Sequence, residues 1–304
     1  MTSITISDLL TILFVLVDDW YQSYGPKTPK SKPGVKPVFK DSEVMTLMLA
    51  QDYIPYPSET QYLGFIRANY LALFPNLLDQ SQYNRRSRAL RGWVEQFRRH
   101  CLVTKGWHLH SQFLLDTKPV PVMGYKRHKR HSDFAGSAGY GRCVARKLRY
   151  FGYKLVAVAT LSGIPIVYDL VPANTDERAA AETILDYFSF CDFFGDKGFL
   201  GLAWQTKVLD QTNNLVWTPC RSNQHCQNDR RLDRWLNSTR ERIEGVFHEV
   251  QNTGRNLERL LAKTVEGLCT RIAAKMTSHL LRHILLVDFG INVQTFELLP
   301  AFSV

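Results

Sequence analysis

The chain has 304 residues, of which 45% are hydrophobic and 22% charged, so it has the composition of an ordinary folded protein. This composition excludes a collagen, a coiled coil and a largely disordered chain, and the length allows one large domain or two of moderate size. Lys and Arg number 38 against 28 Asp and Glu, which gives a formal net charge of +10. The basic excess suits a phosphate-rich partner or a membrane surface, although many soluble enzymes share it.

The first apolar segment does not indicate a membrane protein. Leu9–Val17 is followed by Asp18 and Asp19 and is far shorter than the roughly 20 residues that a membrane span requires. No Lys or Arg precedes it, unlike in a signal peptide, so we predict a buried helix that begins after Ser7. The scattered cysteines form no Cys-x-x-Cys pair, which favours a reducing cytoplasm.

The region up to about residue 105 is predicted to be helical and basic. The Pro- and Lys-rich stretch 25–37 indicates a linker or an extended arm, and Asp41 marks the start of a helix after it. Apolar residues within 90–97 recur at i, i+3, i+4 and i+7, so the arginines around them occupy the rest of a helix surface. That basic surface is either a solvated face or a nucleic-acid contact.

Strands dominate from about residue 110 onward. The hairpin turn Ser162-Gly163 joins two runs of β-branched and aromatic residues. In chain order we predict strands at Gln112–Leu115, Tyr153–Thr160 and Ile164–Leu170, a helix from Asn174 to near Phe190, strands at Cys191–Gly195 and Leu215–Thr218, and a helix at about Asp229–Asn252. This order predicts an α/β fold in which a mixed sheet is covered by helices.

Carboxylates stand where a catalytic site would be assembled. Asp116 and Asp196 each close a predicted strand, and a carboxylate there is costly unless it meets water, a cation or a donor. On the long helix, Glu244 and Glu249 lie on opposite flanks of the apolar stripe centred on Ile243, and the helical geometry does not choose between them. Two aspartates and one glutamate suit two-metal phosphoryl transfer, in which divalent ions activate a water or a 3′-hydroxyl.

A basic segment follows the first aspartate and supplies cations for a phosphodiester substrate. Tyr125 and Tyr140 within it could stack on bases. Its candidate DNA-binding residues are Lys118, Lys126, Arg127, Lys129, Arg130, Arg142, Arg146 and Lys147. A solvated loop is the alternative, and the neighbouring carboxylates favour contact with DNA.

Three short blocks carry a family resemblance. They read Phe-Leu-Leu-Asp-Thr-Lys-Pro-Val-Pro-Val at 113–122, Gly-Asp-Lys-Gly-Phe at 195–199 and Arg-Glu-Arg-Ile-Glu-Gly-Val-Phe at 240–247. In order and spacing they resemble the catalytic blocks of bacterial insertion-sequence transposases of the DDE superfamily, most closely those of the nine-eight-two insertion-sequence family. The resemblance extends from about residue 41 to about residue 287.

The resemblance implies a ribonuclease H-like catalytic domain with a metal site. Asp116, Asp196 and Glu244 would bind two divalent ions, with Mg²⁺ expected and Mn²⁺ able to substitute. The Arg-x-x-x-Glu spacing from Arg240 selects Glu244 over Glu249.

Basic neighbours of the triad receive roles from the same resemblance. Arg240 would orient Glu244 or a phosphate, and Lys197 and Lys118 would contact phosphate or support the aspartates. The sequence departs from the wider family pattern at Asn237, where tyrosine is frequent, and at Gln251, where lysine is frequent. These departures concern the handling of a flipped base or a transferred strand, not the metal triad.

The implied activity is that of a DNA transposase. It would cleave the ends of an insertion sequence and join the 3′-hydroxyl ends to target DNA. Residues 1–105 would bind the terminal inverted repeats through Arg85, Arg86, Arg88 and Arg91, 106–290 would form the catalytic domain, and 291–304 a tail. We expect a homodimer on double-stranded DNA, no membrane partner, and a bacterial cytoplasmic protein associated with the nucleoid during the reaction.

Other functions remain open at this point. One alternative is a metal-dependent nuclease or domesticated transposase without strand transfer, and another is a catalytically silent DNA-binding protein. A zinc site from Cys220, His225 and Cys226 matches no finger spacing, and the Gly-x-Ser-x-Gly elbow of serine hydrolases is absent from the sequence.

Overall fold

The computed structural model describes residues 2–26, 37–54, 56, 58–124, 131–143, 147–220, 228–252 and 256–296. At 2, 3, 240, 243, 252 and 294–296 the description covers the backbone alone. Most of the predicted linker at 25–37 lies outside the described residues.

The described residues form a helical amino-terminal part, a run of strands, and then a mixture of helices and strands. In order they are β1 Thr2–Ile4, α1 Ile6–Tyr24, α2 Asp41–Ala50, α3 Glu59–Asn69, α4 Gln80–Thr104, β2 Gln112–Met123, β3 Gly139–Cys143, β4 Leu148–Thr160, β5 Pro165–Pro172, α5 Glu177–Leu185, β6 Asp192–Gly195, α6 Leu202–Thr212, β7 Leu215–Trp217, α7 Arg230–Asn252, α8 Val265–Phe289 and β8 Ile291–Phe296. Among the described residues, none of the helices is long and apolar enough to cross a membrane.

These elements form two compact units. Unit 1 contains the described residues through Cys101, Asn256 and those from Leu260 onward, and unit 2 contains Leu102–Asn252 with Leu257–Arg259. Helix α8 thus belongs to unit 1 by its contacts, whereas the sequence analysis places residues up to 290 in the catalytic domain. The reason is that α8 is buried along most of its length and packs against α2.

Unit 1 is mainly helical, as the sequence predicts. The Thr5 side chain caps α1 by accepting from the N–H of Asp8, so the helix begins slightly before the predicted start, and its Leu9, Leu13 and Val17 are buried. The segment interpreted as a tail, 291–304, begins with a strand, because β8 pairs in parallel with β1.

Unit 2 is built around a mixed sheet with the order β5-β4-β2-β6-β7. The pairs β2–β4 and β4–β5 are antiparallel, and β2–β6 and β6–β7 are parallel. Strand β3, which the sequence analysis did not predict, pairs with the first half of β4. Three antiparallel strands followed by two parallel ones, with α5, α6 and α7 connecting or covering them, confirm the predicted ribonuclease H-like α/β fold.

The first catalytic block differs from its prediction in one respect. Asp116 does not close β2 but lies inside it, since the strand continues to Met123 with β4 as its partner. It does mark the end of the parallel ladder, because β6 pairs with β2 from Gln112 to Leu115. Pro119 lies beyond that point, where β2 pairs with β4 and, among the described residues, no longer with β6, and proline is found on such edges.

Helix α5 also ends earlier than predicted, at Leu185 instead of near Phe190. The side-chain amide of Asn214 donates to the carbonyls of Leu185 and Phe188. Its oxygen accepts from the N–H of Cys191. A buried side chain from the α6–β7 connection therefore satisfies the helix end, a long-range effect that local periodicity does not contain.

Helix α7 packs on the sheet beside the ends of β2 and β6. The Trp235 ring meets Phe194 of β6 edge-on, with centroids 4.6 Å apart. A Cβ added at Gly163, in the β4–β5 turn, would lie 2.8 Å from a Val246 methyl. Gly163 has φ of 92°, a conformation that glycine adopts without strain.

Candidate active site

Strand register brings the two predicted aspartates side by side. Leu115 of β2 pairs with Gly195 of β6, and Asp116 and Asp196 are the next residues of these parallel strands. Neighbouring strands lie about 4.8 Å apart, so the two carboxylates project from adjacent positions at the end of the ladder. The prediction that the two aspartates share a site is thus supported by the backbone pairing itself.

Asp116 is buried, and its environment opposes ionisation. Burial raises the pKa of Asp116 to about 6, and the negative charge of Asp196 adds to this effect. Two neighbours lower the pKa of Asp116 in turn. The Lys118 Nζ lies 3.2 Å from its Oδ2, and the Thr117 N–H donates to its Oδ1 at 2.7 Å. The carboxylate therefore lies where additional positive charge would be favourable.

Asp196 is held by the turn that follows β6. It caps a short 3-10 helix, Lys197–Phe199, and its Oδ1 accepts from the N–H of Gly198 at 2.7 Å. Lys197 follows directly and is half-buried, so the candidate phosphate contact stays next to the aspartate.

Helix α7 supplies the third predicted carboxylate. The Lys118 ammonium lies 5.5 Å from the centroid of the Phe247 ring, so this part of α7 lies beside Asp116. At about 100° per residue, Glu244 projects roughly 60° from Phe247 around the helix, and Glu249 roughly 160° away. This orientation favours Glu244, which is exposed, over Glu249.

The three carboxylates are not assembled into a ready ligand set. Across the described part of the chain, no group of three His, Cys, Asp or Glu side chains is placed to hold a metal ion. The structure brings Asp116 and Asp196 together and places Glu244 on the helix that covers them. The donors are carboxylate oxygens, which hard divalent cations prefer, and the raised pKa of Asp116 is that of a group in need of a cation.

A further carboxylate that the sequence did not single out is Glu177, which stands three residues after Asn174 in the spacing of a helix cap. The cap is Asp176, whose side chain accepts from the Arg178 N–H. Glu177 instead accepts a 3.3 Å hydrogen bond from the Thr117 hydroxyl. Burial and then the charge of Asp196 raise its pKa, against the nearby ammonium of Lys154.

A signal for Glu177 existed in the sequence. It stands one turn before Ala180, Ala181 and Ile184, which are all buried, at the spacing i, i+3, i+4 and i+7. A carboxylate on the buried stripe of a helix requires a polar neighbour, and here that neighbour is the pair of aspartate blocks.

The basic segment after β2 is covered only in part. Lys126, Arg127, Lys129, Arg130 and Arg146 lie outside the described residues, as does the side chain of Arg240. Arg142 on β3 and Lys147 before β4 are exposed, as a DNA contact requires.

The four candidate arginines of α4 differ in their surroundings. Arg86 donates to Asp41 at 2.5 Å and to the Phe39 carbonyl at 2.6 Å, which ties α4 to the start of α2. Arg88 lies 3.6 Å from Glu266. Arg85 is exposed and Arg91 half-buried.

Three positions that the sequence analysis singled out have partners within their own unit. The Asn237 side chain donates to the Asp233 carbonyl, and the Gln251 side chain donates to Glu258. In the conceivable zinc site, Cys220 is buried and its sulfur accepts from the N–H of Asn228, while the other two members lie outside the described residues.

Comparison with known proteins matched one family and three solved structures. Residues 108–261 match the family model described as "Transposase DDE domain". No curated protein matches. A structure titled "Mos1 transposase paired-end complex with left transposon end" is 15% identical, with a TM-score of 0.22, and the match covers 83% of this chain and 98% of that one. A second, "Crystal structure of a pre-cleavage Mos1 transpososome", is 13% identical with a TM-score of 0.20, covering 90% and 98%.

Proposed function

Because the chain belongs to the transposase DDE domain family, we propose that it cleaves the ends of a mobile DNA element and joins the resulting 3′-hydroxyls to target DNA. The observation that carries the proposal is the register of β2 and β6, which places Asp116 and Asp196 side by side at the end of the parallel ladder. We assign the chain, within this superfamily, to the nine-eight-two insertion-sequence family on the resemblance of its three blocks.

Asp116, Asp196 and Glu244 would hold two divalent ions, Mg²⁺ in the first place. When bound, such ions lower the pKa of an attacking water or 3′-hydroxyl and stabilise the leaving oxygen. Their donor set is supported by the adjacency of buried Asp116 and half-buried Asp196, whose negative charges repel each other.

The residues around the triad position its carboxylates. Lys118 offsets part of the charge of Asp116 in the ion-free protein, and its ammonium also lies 5.5 Å from the centroid of the Phe247 ring of α7. The Gly198 N–H fixes one oxygen of Asp196 and leaves the other free for a ligand. Lys197 is the side chain we assign to a DNA phosphate beside Asp196, and Arg240 the one that orients Glu244.

DNA would be bound on both units. In unit 2, exposed Arg142 and Lys147 are suited to phosphate contacts. In unit 1, Arg85 is the most exposed of the four candidate arginines of α4 for the terminal inverted repeats, because Arg86 and Arg88 face Asp41 and Glu266 and Arg91 is half-buried. Pairing of two element ends would require a homodimer on DNA.

The test uses purified protein, labelled DNA that carries the element's ends, a plasmid target, and Mg²⁺, Mn²⁺ or EDTA. The proposal predicts cleaved ends and joined product with either ion and neither in EDTA. Cleavage without joining would replace the proposal with a nuclease. Metal-independent binding with no cleavage would indicate a catalytically silent DNA-binding protein.

A further inference from the structure

The Glu177 carboxylate lies between the two aspartate blocks. Its place in helix α5 does not require this position. On one side, the Thr117 hydroxyl, next to Asp116, donates to its Oε1 at 3.3 Å. On the other, its Oε2 lies 1.6 Å from where a Cβ would stand at Gly198, the residue whose N–H binds Asp196. The carboxylate therefore reaches both blocks.

The glycine at 198 is what allows this approach. A Cβ there would also come within 2.8 Å of Asp196 Oδ1, so any side chain would displace both carboxylates. Gly198 thus leaves space that the Glu177 carboxylate fills, beside the oxygen of Asp196 that the backbone holds in place.

The charge at this position is costly in the ion-free protein. Glu177 is half-buried and feels the repulsion of Asp196, and the ammonium of Lys154 offsets only part of it. The Lys154 ammonium also donates a 2.7 Å hydrogen bond to the Thr175 carbonyl. A neutral glutamine could make the same hydrogen bond with Thr117, so the fold alone gives no reason for an acid.

We infer that Glu177 is a positioning residue whose negative charge raises the affinity of the Asp116–Asp196 pair for a divalent cation without being one of its three ligands. The inference rests on the proposed function, because it assumes that the aspartates bind such an ion. Mutation of residues that support a metal's ligands from outside the ligand set typically changes metal affinity or activity by about 10- to 100-fold. The structure assigns this role to Glu177 because its two neighbours, Thr117 and Gly198, belong to the two aspartate blocks.

The test is calorimetric titration of the full-length protein with Mn²⁺ in the absence of DNA. We expect Glu177→Gln to weaken Mn²⁺ binding by about 10-fold or more. Glu182→Gln, on the same helix but paired with Trp204 and Lys207, is the matched control and should bind as wild type does. Equal affinity of Glu177→Gln and wild type would overturn the inference.

A second readout separates a structural role from an electrostatic one. In EDTA, Glu177→Gln should raise the melting temperature, because it removes repulsion and keeps the Thr117 hydrogen bond, and added Mn²⁺ should raise it less than in wild type. A lower melting temperature in EDTA, with an unchanged Mn²⁺ increment, would mean that Glu177 serves only the fold. If wild type binds no Mn²⁺, or if Asp196→Asn leaves binding intact, the proposed function itself fails, an outcome distinct from failure at Glu177.

Discussion

Replacing Asp116 by Asn should stabilise the ion-free protein, although it removes a residue that we assign to catalysis. Burial and the neighbouring Asp196 raise the pKa of Asp116 from its ordinary value of 3.8 to about 6. The folded state therefore binds this proton more tightly than the unfolded state does, and stability is lost as the pH rises through that interval. At about 1.4 kcal/mol for each tenfold change in proton affinity, the ionised side chain costs about 3 kcal/mol at pH 7.

Asparagine keeps the shape of the side chain and cannot ionise. The free energy of unfolding at pH 7 should therefore rise by up to about 3 kcal/mol. For a unit of about 150 residues this corresponds to roughly 6–12 °C in melting temperature. The gain should disappear below about pH 4, where Asp116 is protonated in both states. Thermal unfolding at pH 4, 5, 6 and 7 in EDTA would measure it, with the exposed Asp210→Asn on α6 as a control.

Adding Mg²⁺ should reverse the order of stabilities. A ligand that binds only the folded state stabilises it in proportion to the logarithm of its concentration, and the variant would lose this increment. Asp116→Asn that is less stable than wild type in EDTA at pH 7, or a difference that does not change between pH 4 and pH 7, would refute the reasoning. The first result would mean that the Lys118 ion pair outweighs the cost of burial, and the second that the two balance.

The remaining predictions concern the sheet, unit 1 and DNA. Gly152→Ala should destabilise the protein by more than about 2 kcal/mol in chemical unfolding, because the added Cβ would lie 2.2 Å from a β2 carbonyl oxygen. Gly245→Ala in α7 should stabilise it by about 0.5–1 kcal/mol, because the added Cβ would meet nothing within 4 Å. Glu59→Gln should cost about 3 kcal/mol by removing the only negative partner that we describe for half-buried Arg271, which keeps its hydrogen bond to the Leu260 carbonyl. Although burial opposes its ionisation, Arg271 lowers the pKa of Glu59, so this contribution should be lost as the pH falls below the ordinary value of 4.5. Arg142→Gln should reduce by about 1 the slope of log affinity for DNA against log salt concentration.

Each of these outcomes has a contrary result. Equal stability of Gly152→Ala and wild type would mean that β2 and β4 can separate at this point without cost. Glu59→Gln that unfolds like wild type at pH 7 would show that its ion pair with Arg271 contributes nothing. A salt slope unchanged by Arg142→Gln would place β3 away from the DNA.

Most strands of the sheet and the two aspartates of the site can be predicted from the sequence. Two runs of β-branched and aromatic residues and the turn at Gly163 predict β4 and β5, and the apolar residues before Asp196 predict β6. Asp116 is misplaced as a strand end because its run of apolar residues stops at Leu115, where β6 also stops, while β4 continues as a partner. The apolar pattern thus ends where β2 loses β6 as its second neighbouring strand, not where β2 itself ends.

Long-range contacts account for what the sequence does not predict. Strand β3 forms where Gly139 and Gly141 lie beside β4, a pairing with no alternating apolar pattern to reveal it. Asn214 ends α5 from a distant loop. Glu177 was missed because its spacing from Asn174 fits a helix cap, and only the folded sheet brings Thr117 and Gly198 to it.

The most direct test of the account is strand joining by four single variants assayed beside wild type under identical Mg²⁺ and DNA conditions. Asp116→Asn, Asp196→Asn and Glu244→Gln should each abolish joined product while retaining DNA binding, and Glu249→Gln should retain joining. Activity that survives Glu244→Gln and disappears in Glu249→Gln would contradict the orientation of α7 over Asp116. Joining by either aspartate variant would contradict the site itself.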